Sequence, residues 1–302
     1  MIESPVSMEG EHMKRVVVLG GTGMAGHVVS TYLDESGYDV YIASQSAANA
    51  QRSKKIDATD FSTLDSWLDE IQPTVIVNCI GVLQKLSEAR PDLAILLNSY
   101  LPQHLAYKYK GTDTKLIHIS TDCVFSGARG GYAESDAPDG AIMYDRSKAL
   151  GEVINDKDLT FRMSIIGPDR HTNGTGLFHW FIRQKGTING YSKAIWNGVT
   201  TIVLARAIDA AIRQNISGLY HLVPKAPIEP IDKYSLLLLF RDVFHKTDIE
   251  IVPVDNVAVD KTLINTRADF NFEVPSYPEQ IKDMKNWIDG HMGLYDSYTC
   301  QT

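Results

Sequence analysis

Residues 16–26 read Val-Val-Val-Leu-Gly-Gly-Thr-Gly-Met-Ala-Gly, and this stretch indicates the fold more strongly than any other. Four consecutive apolar residues are typical of a parallel strand that is buried on both faces. The glycine spacing Gly21-x-Gly23-x-x-Gly26 allows a tight turn in which the backbone can approach a phosphate group. A helix is predicted next, with Gly37 as its stop, and its free N–H groups favour an anion. The stretch therefore predicts a strand, a phosphate-binding turn and a helix.

Further along the chain, predicted strands alternate with predicted helices. The segments 39–43, 74–79 and 115–120 read as further strands. An amphipathic helix is predicted between the first two, from apolar residues at i, i+3, i+4 and i+7: Leu64, Trp67, Leu68 and Ile71. This alternation predicts βαβ units and an α/β fold with a Rossmann-type, doubly wound parallel sheet. A glycine turn in that context predicts a dinucleotide cofactor.

The end of the second predicted strand bears on which dinucleotide is bound. NAD sites usually place Asp or Glu there to hold the ribose 2′-hydroxyl. This chain has Ser44-Gln45-Ser46, followed by Arg52, Lys54 and Lys55. The missing carboxylate removes repulsion against a 2′-phosphate, and nearby cations could attract one, although they also fit an ordinary solvated surface. The sequence therefore favours NADP(H) over NAD(H).

The pattern changes past about residue 165, where Gly and Pro are frequent and apolar runs are shorter. Helices are predicted at 236–244 and 278–288, among irregular connections. We therefore expect residues 13–165 to form the NAD(P)-binding domain, with returning segments at about 199–224. Residues 166–302 are expected to form mainly a smaller C-terminal substrate-binding lobe, and residues 1–12 an extension or a cloning remnant.

Composition excludes several classes of protein. The 302 residues carry a formal net charge of −8 without a long Lys/Arg stripe, which argues against a nucleic-acid partner. No apolar run reaches the roughly 18 residues that span a bilayer, and the polar start lacks a signal-peptide core. Cys79, Cys123 and Cys300 are few and far apart, as expected for reduced thiols in a cytoplasmic protein. No metal site is predicted.

Tyr144-Asp145-Arg146-Ser147-Lys148 is the candidate for catalysis. In a helix, Tyr144 and Lys148 lie one turn apart, so the ammonium group should lower the pKa of the phenol. Tyr144 could then donate a proton to a carbonyl oxygen as hydride reaches the carbon. A hydroxyl at the end of the strand 115–120 could orient that carbonyl. Spacing alone does not decide between Ser120 and Thr121, and we choose Thr121.

At this point the chain, from Met13 onward, resembles the extended short-chain dehydrogenase/reductases, and among them the dTDP-4-dehydrorhamnose reductase-like sugar-nucleotide reductases. The motifs that carry the resemblance are Gly-Gly-Thr-Gly-Met-Ala-Gly at 20–26, Val-Asn-Cys-Ile-Gly at 77–81, Asn98-x-x-x-Pro102, Ile-Ser-Thr-Asp-Cys-Val-Phe-Ser-Gly at 119–127, Tyr-Asp-Arg-Ser-Lys-Ala-Leu-Gly-Glu at 144–152, and Trp-Asn-Gly-Val-Thr-Thr at 196–201.

The resemblance implies a role for individual residues. Thr121, Tyr144 and Lys148 correspond to the catalytic triad, and Lys148 would also hold the nicotinamide ribose. Motif and resemblance together predict these cofactor-binding residues: Gly20, Gly21, Thr22, Gly23, Met24, Ala25, Gly26, Ser44, Gln45, Asp57, Ala58, Asn78, Cys79, Ile80, Gly81, Tyr144, Lys148 and Ile166. The expected substrate-binding residues are Val82, Thr121, Cys123, Val124, His179 and Trp196.

One departure from the pattern of the wider family narrows the range of reactions that we expect. Sugar-nucleotide dehydratases of the wider family have Glu where this chain has Cys123, and that Glu serves elimination. We therefore expect NADPH-dependent reduction of a nucleotide-linked 4-keto-6-deoxy sugar, in polysaccharide biosynthesis. A non-catalytic NADP-binding regulatory subunit and a sugar-nucleotide epimerase are the alternatives. The expected partner is the nucleotide-sugar substrate, and a homodimer is left open.

Overall fold

A parallel sheet forms the centre of the structure. The computed structural model describes residues 14–295 and residue 298, so the predicted extension at 1–12 and Cys300 lie outside the described residues. The strands are β1 (Arg15–Leu19), β2 (Asp39–Ser44), β3 (Ser53–Lys55), β4 (Val75–Asn78), β5 (Lys115–Ile119), β6 (Leu159–Arg162), β7 (Ile165–Ile166), β8 (Gly186–Trp196), β9 (Val199–Thr200), β10 (Gly218–His221), β11 (Ile231–Asp232) and β12 (Ile249–Asp260).

Helices cover both faces of this sheet. They are α1 (Met24–Glu35), α2 (Phe61–Ile71), α3 (Gln84–Ala89), α4 (Pro91–Ala94), α5 (Leu101–Lys108), α6 (Met143–Leu150), α7 (Leu177–Ile182), α8 (Thr201–Gln214), α9 (Lys233–Val243) and α10 (Tyr277–Gly290). A π-helix, Ile95–Tyr100, joins α4 to α5, and Asp122–Val124 and Met292–Leu294 form 3₁₀ turns. Among the described residues, none of these helices has both the length and the apolar character needed to cross a bilayer.

The seven central strands run in the order β10-β6-β5-β4-β1-β2-β3, and every neighbouring pair is parallel. Val16, Val17 and Val18 of β1 are fully buried, as expected for a strand covered by helices on both faces. The predicted Rossmann-type fold is confirmed. The short strand β3 was not predicted, because Arg52, Lys54 and Lys55 were interpreted as surface cations. It adds an edge strand beside β2.

The region after residue 165 is more regular than the sequence indicated. A second sheet has the order β11-β8-β12, in which β12 runs parallel to β8 over most of its length. The expectation of irregular connections was therefore wrong for β8 and β12. Further on, α8 packs against α1, and β10 pairs with β6 at the edge of the central sheet. The domain boundary at residue 165 stays a prediction.

A buried polar network ties the central sheet to the C-terminal segments. Both Nε and Nη2 of Arg162 donate to the carboxylate of Glu152, at 2.8 and 2.5 Å. Its Nη1 donates to Nε2 of His221 at 2.9 Å, so the other ring nitrogen, Nδ1, donates to the carbonyl oxygen of Ile264. Glu134 accepts from the backbone N–H of His221 at 3.0 Å. Burial lowers the pKa of His221 to about 4, opposed in part by the charge of Glu134. The fold therefore holds His221 neutral.

This network makes stability depend on pH. Below about pH 6.5 the unfolded chain protonates His221, whereas the folded chain does so only near pH 4, so the free energy of unfolding should fall between these values. Gln at this position can accept from Arg162 and donate to Ile264. We expect His221→Gln to reduce the loss of unfolding free energy between pH 7 and pH 5 by about 1–2 kcal/mol. Urea unfolding at both pH values measures this difference, and identical losses in the two proteins would contradict the prediction.

Candidate active site

The glycine turn between β1 and α1 is packed so tightly that side chains are excluded. A Cβ on Gly26 would lie 2.1 Å from the carbonyl oxygen of Gly20, and one on Gly21 would lie 2.3 Å from Cγ2 of Ile42. Gly23 is the N-cap of α1, and as a glycine it has no side chain that could cap the helix. The first amides of α1 are therefore open to an anion, and the bare backbone fits the close approach of a pyrophosphate.

A cavity of about 730 Å³ extends from this turn across the carboxyl ends of the strands. Ten of the predicted site residues line it: Gly20, Thr22, Gly23, Ser44, Gln45, Ala58, Cys79, Ile80, Gly81 and Val82. Ser46, His171 and Thr175 also line it and were missed. Ser46 had a signal in the sequence, since it follows Ser44 by two residues. His171 and Thr175 had none, because they reach the cavity from a loop about 150 residues further along the chain.

Several other predicted cofactor residues are not among those that line the cavity. The side chain of Asn78 is fully buried, where it contacts Nδ1 of His118 and accepts from the backbone N–H of Ile80. Asp57 is exposed and accepts from the backbone and hydroxyl of Thr59. Ile166 is buried in β7. Met24 and Ala25 begin α1.

Three hydroxyl groups meet at the end of β2. Oγ1 of Thr22 lies 2.5 Å from Oγ of Ser44 and 2.7 Å from Oγ of Ser46. Arg52, expected as a cation near this point, pairs instead with Asp39 at 3.2 Å and Asp34 at 3.4 Å. The end of β2 therefore presents neutral hydrogen-bonding groups, with neither the carboxylate of an NAD site nor a free charge from Arg52.

Tyr144 and Lys148 lie on α6, and Thr121 follows the end of β5 by two residues and caps the 3₁₀ turn Asp122–Val124. The side chain of Thr121 is close enough to the phenol of Tyr144 to affect its pKa, while its Oγ1 donates to Oδ1 of Asp122 and accepts from the backbone N–H of Cys123, each at 3.1 Å. Lys148 is buried, and its Nζ donates to the carbonyl oxygen of Ile119 at 2.6 Å. The hydroxyl of Ser120 donates to Glu152 instead, at 2.7 Å, and this contact turns it away from Tyr144. The structure thus places Tyr144 near Thr121, with Lys148 one turn further along α6, whereas the hydroxyl of Ser120 is engaged by Glu152; the catalytic roles stay predictions.

The protein alone shifts the pKa of Tyr144 in the direction opposite to the prediction. Burial raises this pKa, and a thiolate at Cys123 would add to the effect, while the nearby hydroxyl of Thr121 opposes it. Lys148 is not among the causes, because its ammonium is directed at Ile119. Burial lowers the pKa of Lys148 to about 8, opposed by the charge of Glu152. Near pH 7 the phenol is therefore protonated and the amine is charged.

The two described cysteines are free thiols that border the site. Burial raises the pKa of Cys79 to about 12, and the charge of Lys148 partly opposes this shift. Burial and the charge of Asp122 raise the pKa of Cys123 to about 12 as well. Both thiols stay protonated near neutral pH and are poor nucleophiles. Since Cys79 lines the cavity and is within electrostatic reach of Lys148, it marks where the cavity meets α6.

Three of the predicted substrate residues are packed in the interior. Val124 is fully buried, and Trp196 packs against Tyr277 with 5% of its surface exposed. His179 is 1% exposed, and its ring contacts the hydroxyl of Tyr298 and the carbonyl of Thr172. This burial gives no support to direct substrate contacts of Val124, Trp196 or His179, and those contacts stay predictions.

Asn98 in the π-helix joins the cavity wall to the catalytic helix. Its side chain accepts from the backbone N–H of Val82 at 2.7 Å and donates to the carbonyl of Val82 and to Oγ of Ser147, each at 3.0 Å. π-Helical turns are frequent at functional sites, where they redirect a side chain. Asn98 therefore fixes the distance between the loop after β4 and the residue that precedes Lys148.

Comparisons with known proteins agree with this geometry. The family model for the RmlD substrate binding domain matches residues 13–262. A dTDP-4-dehydrorhamnose reductase of Streptomyces griseus is 32% identical over 46% of this chain and 43% of its own length. Methionine adenosyltransferase 2 subunit beta of Danio rerio is 32% identical over 80% of this chain and 77% of its own. With the first curated relatives, the chain spans less than half of the relative's length.

Among solved structures, that of dTDP-4-dehydrorhamnose reductase from Bacillus anthracis in complex with NADP superposes with a TM-score of 0.77. The two chains are 22% identical, and the match covers 91% of this chain and all of the other. At this identity the likeness concerns the fold, which both chains share throughout. The family model covers most of the chain. The chain therefore belongs to the RmlD substrate binding domain family.

Proposed function

We propose that this protein reduces the keto group of a nucleotide-linked 4-keto-6-deoxy sugar with NADPH. The observation that carries the proposal is the placement of Tyr144 near the side chain of Thr121, with Lys148 one turn further along α6 and within electrostatic reach of Cys79, which lines the cavity that begins at the glycine turn. A proton donor, an orienting hydroxyl and a cation then converge where a nicotinamide would lie. The reductase from Streptomyces griseus, similar over half of the chain, supports the substrate class.

A reduced nicotinamide dinucleotide, held at the glycine turn, would supply the hydride for the carbonyl carbon. Tyr144 donates its proton to the carbonyl oxygen, so the products are an alcohol and a phenolate. The raised pKa of Tyr144 keeps this proton in place until the oxygen becomes basic. Thr121 orients the oxygen through its hydroxyl. Lys148, which is charged near pH 7 and is anchored to the carbonyl oxygen of Ile119, would hold the nicotinamide ribose.

Tyr144→Phe tests the assignment of the proton donor. Removing the hydroxyl should lower kcat by about 10²–10⁴-fold, because a positioned proton donor contributes that much. The dissociation constant for NADPH should change less than about twofold, since the ring remains and the phosphates bind elsewhere. Turnover is followed by NADPH absorbance with dTDP-4-keto-6-deoxy sugars, and NADPH binding by fluorescence. Tyr107→Phe, at an exposed position, is the matched control. Unchanged turnover in the Tyr144 variant would rule out this mechanism.

The same assay separates the alternatives. The likeness to methionine adenosyltransferase 2 subunit beta over 80% of the chain favours a second candidate, a non-catalytic NADP-binding regulatory subunit. That function predicts NADPH binding without oxidation by any keto sugar, and a stable complex with a methionine adenosyltransferase catalytic chain. An epimerase would convert its substrate without net consumption of the dinucleotide. A homodimer and the absence of a nucleic-acid partner stay predictions.

The preference for NADPH rests on the hydroxyl cluster of Thr22, Ser44 and Ser46, which can hydrogen-bond a 2′-phosphate without repelling it. Ser44→Asp places a carboxylate at the strand end, where it would repel that phosphate and accept from a ribose 2′-hydroxyl. We expect NADPH to bind at least roughly tenfold more weakly and NADH to bind as well or better. Ser44→Ala, which removes the hydroxyl without adding charge, is the control. Equal effects of Asp and Ala on NADPH binding would contradict this assignment.

A further inference from the structure

Two tyrosines, Tyr295 and Tyr298, are buried close to α1 and to the loop 167–176. The rings of Tyr295 and Tyr298 are stacked with centroids 5.8 Å apart and planes inclined by 10°. Tyr295 is fully buried, and Tyr298 is 9% exposed. The hydroxyl of Tyr295 reaches α1, whereas that of Tyr298 reaches the loop 167–176 and also Nδ1 of His179 in α7, at 2.9 Å. The pair therefore links two segments that are far apart in sequence and adjacent to the glycine turn.

A first chain of hydrogen bonds leads from Tyr295 to the glycine turn. Nδ1 of His27 lies 2.8 Å from the carbonyl oxygen of Gly23, which can only accept, so this nitrogen carries the proton. Nε2 of His27 therefore accepts from the hydroxyl of Tyr295 at 2.9 Å, and that hydroxyl accepts from Nε1 of Trp287 at 2.8 Å. Burial lowers the pKa of His27 to about 4, which keeps the ring neutral as this arrangement requires.

A second series of hydrogen bonds leads from Tyr298 to the carbonyl oxygen of Thr22 in the same turn. The backbone N–H of Asp169 donates to the hydroxyl of Tyr298 at 2.7 Å, and Oδ1 of Asp169 accepts from the backbone N–H of His171 at 2.9 Å. The ring of His171 then donates through Nε2 to the carbonyl oxygen of Thr22 at 3.1 Å. His171 lines the cleft, so this chain ends on the surface that faces a dinucleotide.

The loop 167–176 lies directly on the first turn of α1. A Cβ on Gly176 would approach Sδ of Met24 to 2.8 Å, and Thr175 lines the cleft beside His171. The loop forms no helix or strand, so its shape depends on contacts such as the one from Asp169 to Tyr298. Ordering an irregular loop during binding costs conformational entropy, and a loop ordered beforehand avoids that cost.

We propose that Tyr295 and Tyr298 are positioning residues that hold the glycine turn and the loop 167–176 in the shape that binds the dinucleotide. The inference rests on the proposed function only in taking the glycine turn as a dinucleotide site. Neither tyrosine is among the residues that line the cavity. Each therefore acts through another residue, His27 or Asp169. The C-terminal segment thereby sets the affinity of a site formed by residues more than 100 positions earlier.

The test uses Tyr295→Phe, Tyr298→Phe and the double variant in the full-length protein. Each keeps its buried ring and loses one hydroxyl. We expect the dissociation constant for NADPH to rise about three- to tenfold for each, because a buried partner loses its hydrogen bond. The two effects should multiply in the double variant if the two series of hydrogen bonds act independently. At saturating NADPH, kcat should stay at the wild-type value. Tyr109→Phe is the control, since its hydroxyl is buried without a hydrogen-bond partner among the described residues.

Amide hydrogen exchange of the ligand-free protein gives a readout that does not depend on activity. Tyr298→Phe should speed exchange within 167–176, and Tyr295→Phe should speed it at the start of α1, with the rest of the sheet unchanged. Wild-type affinity and wild-type exchange in both variants would overturn the inference. If the wild-type protein binds neither NADPH nor NADH, the proposed function fails. The exchange rates would then still show whether the tyrosines hold these segments.

Discussion

Contact between Gly26 and the carbonyl of Gly20 is the constraint on which the site depends. With no room for a Cβ, a turn of only four residues separates β1 from α1, and the first amides of α1 are open at the carboxyl edge of the sheet. The strands β4 and β5 end at the same edge because all seven strands are parallel. One backbone contact therefore places the anion site, the cavity and the residues after β5 side by side.

Burial shifts the pKa values of Tyr144 and Lys148 at this edge more than nearby charges do. It raises the pKa of Tyr144 and lowers that of Lys148, so the folded chain holds a protonated phenol near a charged amine. The opposing charge of Glu152, itself held by Arg162, keeps Lys148 from losing its proton more readily. The same carboxylate accepts from Ser120 and leaves Thr121 as the hydroxyl that faces Tyr144. A buried ion pair thus contributes to the site without touching it.

The relatives of this chain include reductases and the subunit of another enzyme, so membership in the family alone does not fix the activity. The distinction lies in the site, because reduction requires a proton donor next to the bound carbonyl. Tyr144, Thr121 and Lys148 lie near one another, and these are the residues that we propose for this step. The neutral end of β2 and the loop that carries His171 bear on cofactor choice and affinity instead.

The sequence alone determined the features that arise within short stretches of chain. Apolar periodicity located β1, α1, β2, α2, β4 and β5, and the glycine spacing located the turn, because strands, helices and tight turns depend on neighbouring residues. The spacing from Tyr144 to Lys148 placed both side chains on one face of α6 for the same reason. These features were sufficient to predict the fold, the cofactor class and the three catalytic candidates.

Only the tertiary structure decided what depends on contacts between distant residues. Arg52 pairs with Asp39, and His179 is buried against Tyr298, although local sequence placed the first beside the cofactor and the second beside the substrate. The shift in the pKa of Tyr144 took the opposite direction because burial is a property of the folded chain, not of a four-residue spacing. The contacts of His171 with Thr22, and of Tyr295 with His27, join segments 149 and 268 residues apart, and no local pattern specifies such pairs.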